Sequence, residues 1–556
     1  MRRIGKIFSR FLPVFLLAGL SGCGGPSDPA TLAVTHARIW TGDPARPWAE
    51  ALAVKGDSIL SVGSNEEIEA LTGEQTRLVD AKGQMVTPGF IDTHVHFIDG
   101  GFRLSSVQLR DAKTQDEFIA RIAAFAKTIP AGAWITGGDW DHELWGGELP
   151  RKDWIDSVTA ANPVWVSRLD GHMALANSAA LTAADITAAL KDVPGGTIVR
   201  LPDGSPTGVL KDNAMDAVWR VVPTPPAELE DRALDAAMHY VAQQGVTSVH
   251  NMAGWSELDA VLRAKNTGRL TTRVYAVVPL ADWEKLRDRV AAEGRGDAWV
   301  RIGGLKGFVD GSLGSHTAAF MTPFTDAPND SGVFVNTPEN LYTWISGADK
   351  TGLHVMVHAI GDRAIHTLLN IFDRVASENG TRDRRFRVEH AQHIAPGDIT
   401  RFGASAVIPS MQPYHAIDDG RWAEKVIGPE RIKTTYAFRA LLDAGAKLAL
   451  GSDWFVAPPT PLEGIYAAVT RRTLDDKNPD GWVPEQKISV EEALRGYTSH
   501  AAYASFEENA KGMLTPGKWA DFVLIDHDLT AIAPENIRDA KIMMTVVGGR
   551  IVFERK

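Results

Sequence analysis

The chain reads as an α/β protein: a (β/α)8 TIM-like barrel, a small β-sandwich built from both chain ends, and a large insertion after the first barrel strand. Three features carry that reading. Eight apolar, β-rich runs alternate with helical segments through the middle of the chain, the pattern of a parallel barrel. Both ends are β-rich and belong together as one sheet domain. Residues 97–240 separate the first two of the eight runs, a gap far too long for a single loop.

In chain order, residues 1–22 have a basic start (Arg2, Arg3, Lys6, Arg10) and an apolar core, "FLPVFLLAGL". That core is too short for a typical membrane-spanning helix and predicts a secretion signal. The "LSGC" that follows resembles the bacterial lipoprotein signal, which implies lipidation of Cys23 and a membrane anchor through its acyl chains. The expected location is the cell envelope, on the periplasmic face; Gly24 after the cysteine resembles outer-membrane sorting. Cys23 is the one cysteine of the chain, so the folded body has neither a disulfide nor a thiolate metal site.

A Gly/Pro/Ser tether, residues 23–30, leads to "TLAVTHARIW" and "ALAVKGDSILSVG", split by the turn-rich "TGDPARP". With "WADFVLIDHD" and "KIMMTVVGGRIVFE" they predict a composite sandwich of residues 31–88 and 507–556. The barrel is then 89–506. Its strands are "QMVTPGFIDTHVH", "GVTSVHN", "TTRVYAVV", "VRIGGLKGFVD", "LHVMVHA", "FRVEHA", "SAVIPSMQ" and "AKLALGSD". Residues 97–240 form an inserted subdomain carrying much of the pocket wall. In "PPAELEDRALDAAMHYVAQQ", Leu229, Ala233, Ala237 and Tyr240 recur at helical spacing behind Thr224 and a proline pair.

Among 556 residues, 44% are hydrophobic and 23% charged, an ordinary globular balance with enough apolar mass for a large core. A net charge of −11 without long runs disfavours nucleic acid or an anionic surface as main partner, since both demand concentrated basic charge. The expected partner is a small-molecule substrate, with the oligomeric state left open.

The first run ends in His94-Val95-His96. By chance, 16 histidines in this length give about 0.5 such pairs, so the motif alone proves nothing. What ends the other strands decides, because barrel enzymes carry reactive residues at the C-terminal strand ends. Strand four carries Lys306, strand five ends in His358, strand six in His390 and strand eight in Asp453. Histidines at i and i+2 of a strand share a face, here the interior, where neutral imidazoles can ligate a divalent ion. Zinc suits this nitrogen and oxygen set, and manganese, iron or cobalt also fit. One or two such ions would lower the pKa of bound water toward ~7 and polarise a carbonyl, the apparatus of amide hydrolysis.

This ordered set resembles the amidohydrolase superfamily and, more narrowly, amidohydrolase family 3, the branch that includes N-substituted formamide deformylases. The similarity runs from about residue 31 to the end through "TPGFIDTHVHF", "GGDWDHELWGG", "RLDGHMALANSAAL", "GLKGFVDGSLGS", "VHAIGDRAI", "RVEHAQHI", "GSDWFV" and "GMLTPGKWADFVLID". It implies metal ligands His94, His96, Lys306, His358, His390 and Asp453, with Asp453 also the proton acceptor. It further implies that Lys306 carries a carbamate bridging two ions, although a plain lysine beside one ion fits the same sequence. Lysine's readily shifted pKa makes the carbamate chemically accessible.

His172, in a histidine-bearing family motif, is a second catalytic candidate, orienting the substrate carbonyl or its oxyanion. Asp139, Trp140, Asp141 and His142 are expected to line the substrate pocket, and Asp310 and Asp362 to brace loops or ligands. His250 and His366 are read as structural. His316 in "GSLGSHTAAF" is also expected to bind substrate, but it stands where the family pattern has arginine, which puts a polar or anionic substrate contact in doubt. Trp140, Trp145, Trp154 and Trp165 in the insertion favour an apolar or aromatic substrate group. The expected activity is hydrolysis of a carbon-nitrogen bond, an amide of N-formyl or N-acyl type. Ester, lactone or carbamate hydrolysis on the same site and a catalytically inactive lipid-anchored binding protein are the rivals.

Overall fold

A computed structural model describes residues 28–556. The signal segment, Cys23 and most of the tether lie outside the described residues. Among those described, no helix is long and apolar enough to cross a membrane.

The eight runs form one eight-stranded sheet whose neighbours follow chain order: β1 (Phe90–Val95), β2 (Val246–Met252), β3 (Arg273–Pro279), β4 (Val300–Phe308), β5 (His354–Ala359), β6 (Arg387–His390), β7 (Ile408–Met411) and β8 (Ala449–Leu450). Every pairing is parallel. The last strand is short, and the segment beyond it closes the ring: Asp453 N donates to His94 O at 2.7 Å and His96 N to Trp454 O at 2.5 Å. The closure bonds therefore join the two chain segments that carry His94, His96 and Asp453. Strands buried on both sides need no polar alternation, which is why "LHVMVHA" and its kin read as nearly continuous apolar runs.

Helix Ala227–Gln243 forms as its spacing predicts, but its buried stripe is Ala233, Leu234, Ala237, Met238 and Val241. Leu229, expected on that stripe, is 41% exposed. The stripe faces helix Phe97–Arg103, which begins directly after His96. Two glycines permit the approach: a Cβ on Gly101 would stand 2.0 Å from the Ala233 carbonyl oxygen, and one on Gly100 would stand 2.6 Å from the Trp454 ring.

Between that helix and Ala227–Gln243 the insertion builds its own six-stranded sheet, in the order 196–200, 206–212, 173–176, 164–168, 135–140, 107–108. The turn between 168 and 173 and the end of 206–212 reach the barrel mouth, carrying Arg168, Asp170, His172 and Asp212 with them.

The chain ends supply a four-stranded and a six-stranded sheet; in the second, Met85–Pro88 pairs antiparallel with Phe522–Ile525. Leu32, Leu52 and Val54 of the first sheet share one core with Val86, Phe522, Leu524 and Val546 of the second. A buried ion pair fixes this unit to the barrel: Arg273, opening β3, donates to both carboxylate oxygens of Asp521 at 2.7 and 2.9 Å. The Arg273 guanidinium also lies 4.1 Å from the centre of the Trp519 ring.

Candidate metal centre

Six side chains from five strand ends converge on the barrel mouth. His94, His390 and Asp453 are buried and offer one ligand atom each within 4.8 Å of one another. The Asp453 Oδ1 lies 3.5 Å from Nε2 of both His94 and His96. Lys306 Nζ is 3.0 Å from His94 Nε2. The His390 ring centre stands 4.8 Å from that of His94 and 4.6 Å from that of His358. His358 stands slightly apart, its Nε2 3.0 Å from the Gly311 carbonyl oxygen. His172 joins the group from the insertion, its ring 4.9 Å from that of His358.

Supporting contacts aim these groups. Glu389 on β6 takes the other ring nitrogen of His94, Nδ1 to Oε2 at 2.6 Å, so a His94 protonated at Nδ1 presents a lone pair at Nε2. Arg387 holds Glu389 through contacts of 2.7 and 3.0 Å and reaches Thr93 O, Ser410 and His250 as well. His250, on β2, is thus part of the frame. Gln412 receives His390 Nδ1 at 2.9 Å. Asp92 ties β1 to the Asp453 segment by accepting from Ser452 Oγ at 2.5 Å and Ser452 N at 2.9 Å. Asp310 accepts three backbone N–H groups, of Ala319, Ile360 and Gly361; Asp362 accepts one, of Met321. His366, half-buried on its helix, meets the buried Asp398 at 3.0 Å and touches none of the six.

Burial holds the His94, His358 and His390 imidazolium forms well below the usual range, so the rings are neutral and able to ligate. Burial also lowers the Lys306 ammonium to about 8. Burial alone would push the Asp453 carboxyl up, but the facing His94 and His96 more than offset it and carry it down to about 2. Its Oδ1 nevertheless has no hydrogen-bond partner among the described residues. A buried carboxylate oxygen without a hydrogen bond, ringed by imidazole nitrogens at 3.5 Å, is costly by itself and suits a divalent cation. The donor set fits the metal that the sequence implies.

Several substrate-wall expectations are corrected. Trp140 is fully buried in the insertion's core, its indole N–H donating to Val166 O at 2.8 Å. His142 sits behind the wall, its Nδ1 accepting from Arg168 Nε at 3.2 Å. Asp139 pairs with Arg103 at 3.3 Å, beneath the insertion. Asp141 does line the pocket, bridging Arg421 at 3.2 Å and Arg168 at 3.6 Å. His316 is off the wall, paired with Asp326 at 3.0 Å. Trp145, Trp154 and Trp165 pack inside the insertion, so the apolar or aromatic group expected from them has no such wall to meet.

The pocket wall is charged instead. Arg168, Asp170, Asp418, Asp419 and Arg421 line it with Asp141, and Trp422 is its tryptophan. Arg168 is packed so tightly that a Cβ on Gly314 would stand 2.4 Å from its guanidinium. Sequence reasoning missed Arg387 and Glu389 although they precede His390 in the quoted "RVEHA", and Arg168 and Asp170 although they precede His172. For Arg387, Glu389 and Arg168 the signal was charge at strand positions buried on both faces; Asp170 lies in the turn beyond its strand and carried no such signal.

The model of the amidohydrolase family represented by family 3 matches residues 77–553. The chain belongs to the amidohydrolase family. This amidohydrolase is 40% identical over 537 residues to Protein LONG AFTER FAR-RED 3 of Arabidopsis thaliana, covering 94% of the chain and 92% of that protein. It is 27% identical to N-substituted formamide deformylase of Arthrobacter pascens, over 94% and 98% of the two chains. The solved structure of an uncharacterized metal-dependent hydrolase from Pyrococcus horikoshii superposes with a TM-score of 0.73 at 27% identity, covering 90% of this chain and 99% of that one. The amidohydrolase is accordingly a hydrolase, and its barrel is of the TIM type.

Proposed function

We propose that this amidohydrolase is a metal-dependent hydrolase that cleaves a carbon-nitrogen bond of a small molecule, an amide of N-formyl or N-acyl type. The observation that carries the reading is the convergence of His94, His390 and Asp453 around a carboxylate oxygen without a partner. Likeness to the formamide deformylase supports the choice of bond.

His94, His96, His358, His390, Lys306 and Asp453 would hold one or two divalent ions, zinc by preference. When bound, the metal supplies Lewis-acid polarisation of the carbonyl and a water acidified to near-neutral pKa. Asp453, ionised and facing the cavity, takes the proton of the attacking water on a carboxylate oxygen and delivers it to the leaving nitrogen. His172 is held by Asp212 through its Nδ1 at 2.7 Å. That contact leaves Nε2 for the substrate carbonyl oxygen, where developing negative charge needs a donor. Burial disfavours the His172 imidazolium, and Asp212 more than offsets this, so the pKa is raised.

Lys306, with its charged form destabilised by burial, has access to the neutral amine that forms a carbamate with carbon dioxide. The charged wall of Asp141, Arg168, Asp170 and Arg421 suits a substrate whose remainder is polar and rich in hydrogen-bonding groups.

The test is hydrolysis of a panel of N-formyl and N-acyl amides beside matched esters and lactones. Turnover of the amides by the metal-loaded enzyme, lost in Asp453→Asn with protein folded, is the expected result. Ester or lactone turnover without amide turnover would overturn the choice of bond, and full activity in Asp453→Asn would overturn its role.

A further inference from the structure

At the opposite end of the barrel from the metal centre, around the N-terminal ends of β3 to β6, lies a cavity of about 220 Å³. Arg295, Arg301, Arg382 and Arg384 line it together with one carboxylate, Asp383, over a floor of Tyr275 and His354. In a chain of net charge −11, such a concentration of guanidinium groups is a local reversal of sign.

The ion pairs do not neutralise it. Asp349 is shared by Arg382 and Arg384, the latter at 3.0 Å. Asp383 and Glu508 are engaged by Arg385, each at 2.8 or 2.7 Å. Neither Arg295 nor Arg301 has a carboxylate within 4.0 Å among the described residues, and the Arg301 Nε is buried without any hydrogen-bond partner. Arg295 spends one N–H on the Gly352 carbonyl oxygen at 2.7 Å.

The geometry leaves room between these groups. Gly352 has φ +77°, and a Cβ there would stand 3.7 Å from Arg382 Nη1 and 3.8 Å from Arg295 Nη2. The two guanidinium groups thus approach the same bare glycine. The floor offers no competing negative charge: His354 Nε2 donates to Arg385 O at 2.7 Å, and its Nδ1 accepts the Tyr275 hydroxyl at 3.0 Å. A buried donor left unpaired calls for a partner, and guanidinium forks match the paired oxygens of oxyanions.

We propose that this cavity is a binding site for a small dianionic oxyanion of the phosphate type, held by Arg295 and Arg301 with Arg382 alongside. Two guanidinium groups without carboxylate partners match two negative charges. The site is separate from the metal centre, although β5 links them, with His354 at one end and His358 at the other.

Isothermal titration of inorganic phosphate into the metal-loaded full chain, at constant ionic strength in chloride, tests the site. Saturable binding is expected. Arg301→Gln and Arg295→Gln should each weaken it about tenfold or more, the worth of a charge-assisted hydrogen bond. Arg232→Gln, an exposed arginine elsewhere, should leave it unchanged and reports on non-specific attraction. Arg301→Lys, which keeps the charge without the fork, guards against misfolding and should retain part of the affinity. Tighter binding of glycerol phosphate than of phosphate would identify a phosphomonoester as the natural occupant, and equal or weaker binding the free anion. No saturable binding to the wild type, or affinity unchanged in both glutamine variants, would overturn the proposal.

Discussion

His172 and Asp212 show how a single contact specifies a chemical state. The Asp212 carboxylate 2.7 Å from His172 Nδ1 selects the tautomer and fixes the ring, as the acid partner of a catalytic histidine does in general. His172→Ala should lower kcat by about a hundredfold, the usual worth of one proton donor or acceptor. Asp212→Asn should lower it less while leaving bound metal unchanged. A combined loss of metal and activity in both variants would show a structural role instead. His172 was legible from its family motif, whereas Asp212 was not. Forty residues separate the two along the chain, and only the insertion's sheet, which pairs 173–176 with 206–212, brings them together. Trp140 failed for the converse reason: its neighbours Asp139 and Asp141 are polar, but left-handed backbone at Gly137, Gly138 and Asp139 and a register shift between Gly138 and Trp140 break the alternation, and its ring ends in the core.

Helix Phe97–Arg103 illustrates the dependence of the site on packing between elements. It starts where the His94-Val95-His96 strand ends, and its Gly101 lies against the Ala233 backbone. Gly101→Ala places a methyl group 2.0 Å from a carbonyl oxygen, so the helix must move. The expected cost is about 1–3 kcal/mol of stability, read as a lower thermal midpoint, together with weaker metal retention because His96 moves with the helix. An unchanged midpoint would contradict this account of the packing. All eight barrel strands were visible in the sequence as apolar β-rich runs, since burial on both faces leaves a signal that needs no long-range information. The stripe of helix Ala227–Gln243 was misread at Leu229, because an apolar residue at the right spacing in the first turn still ends outside the contact.

Across the whole molecule, the Arg273–Asp521 pair joins a barrel strand to a sheet made from both chain ends. Asp521→Ala would leave a buried guanidinium without its carboxylate, at a cost of about 3–5 kcal/mol, and the thermal midpoint should fall accordingly; no fall would mean that the two units are held by apolar contact alone. The β-rich ends predicted a common domain because their composition matches, but the ion pair that fixes it was hidden, since residues 273 and 521 lie far apart in sequence. The ordered set of histidines, lysine and aspartate was legible because a barrel places each strand end at one mouth. The Arg387–Glu389 frame behind it was not, because its partners come from three other strands.

A barrel mouth built in this way is expected to bind metal. The decisive measurement is metal content by elemental analysis of the protein lacking residues 1–23, in wild type and in the double variant His94→Ala, His96→Ala. Stoichiometric metal in the first, with one or two ions per chain bearing on Lys306, and its loss in the second are the predicted results. A wild type that holds no metal and gains no activity from added zinc or manganese would contradict the account.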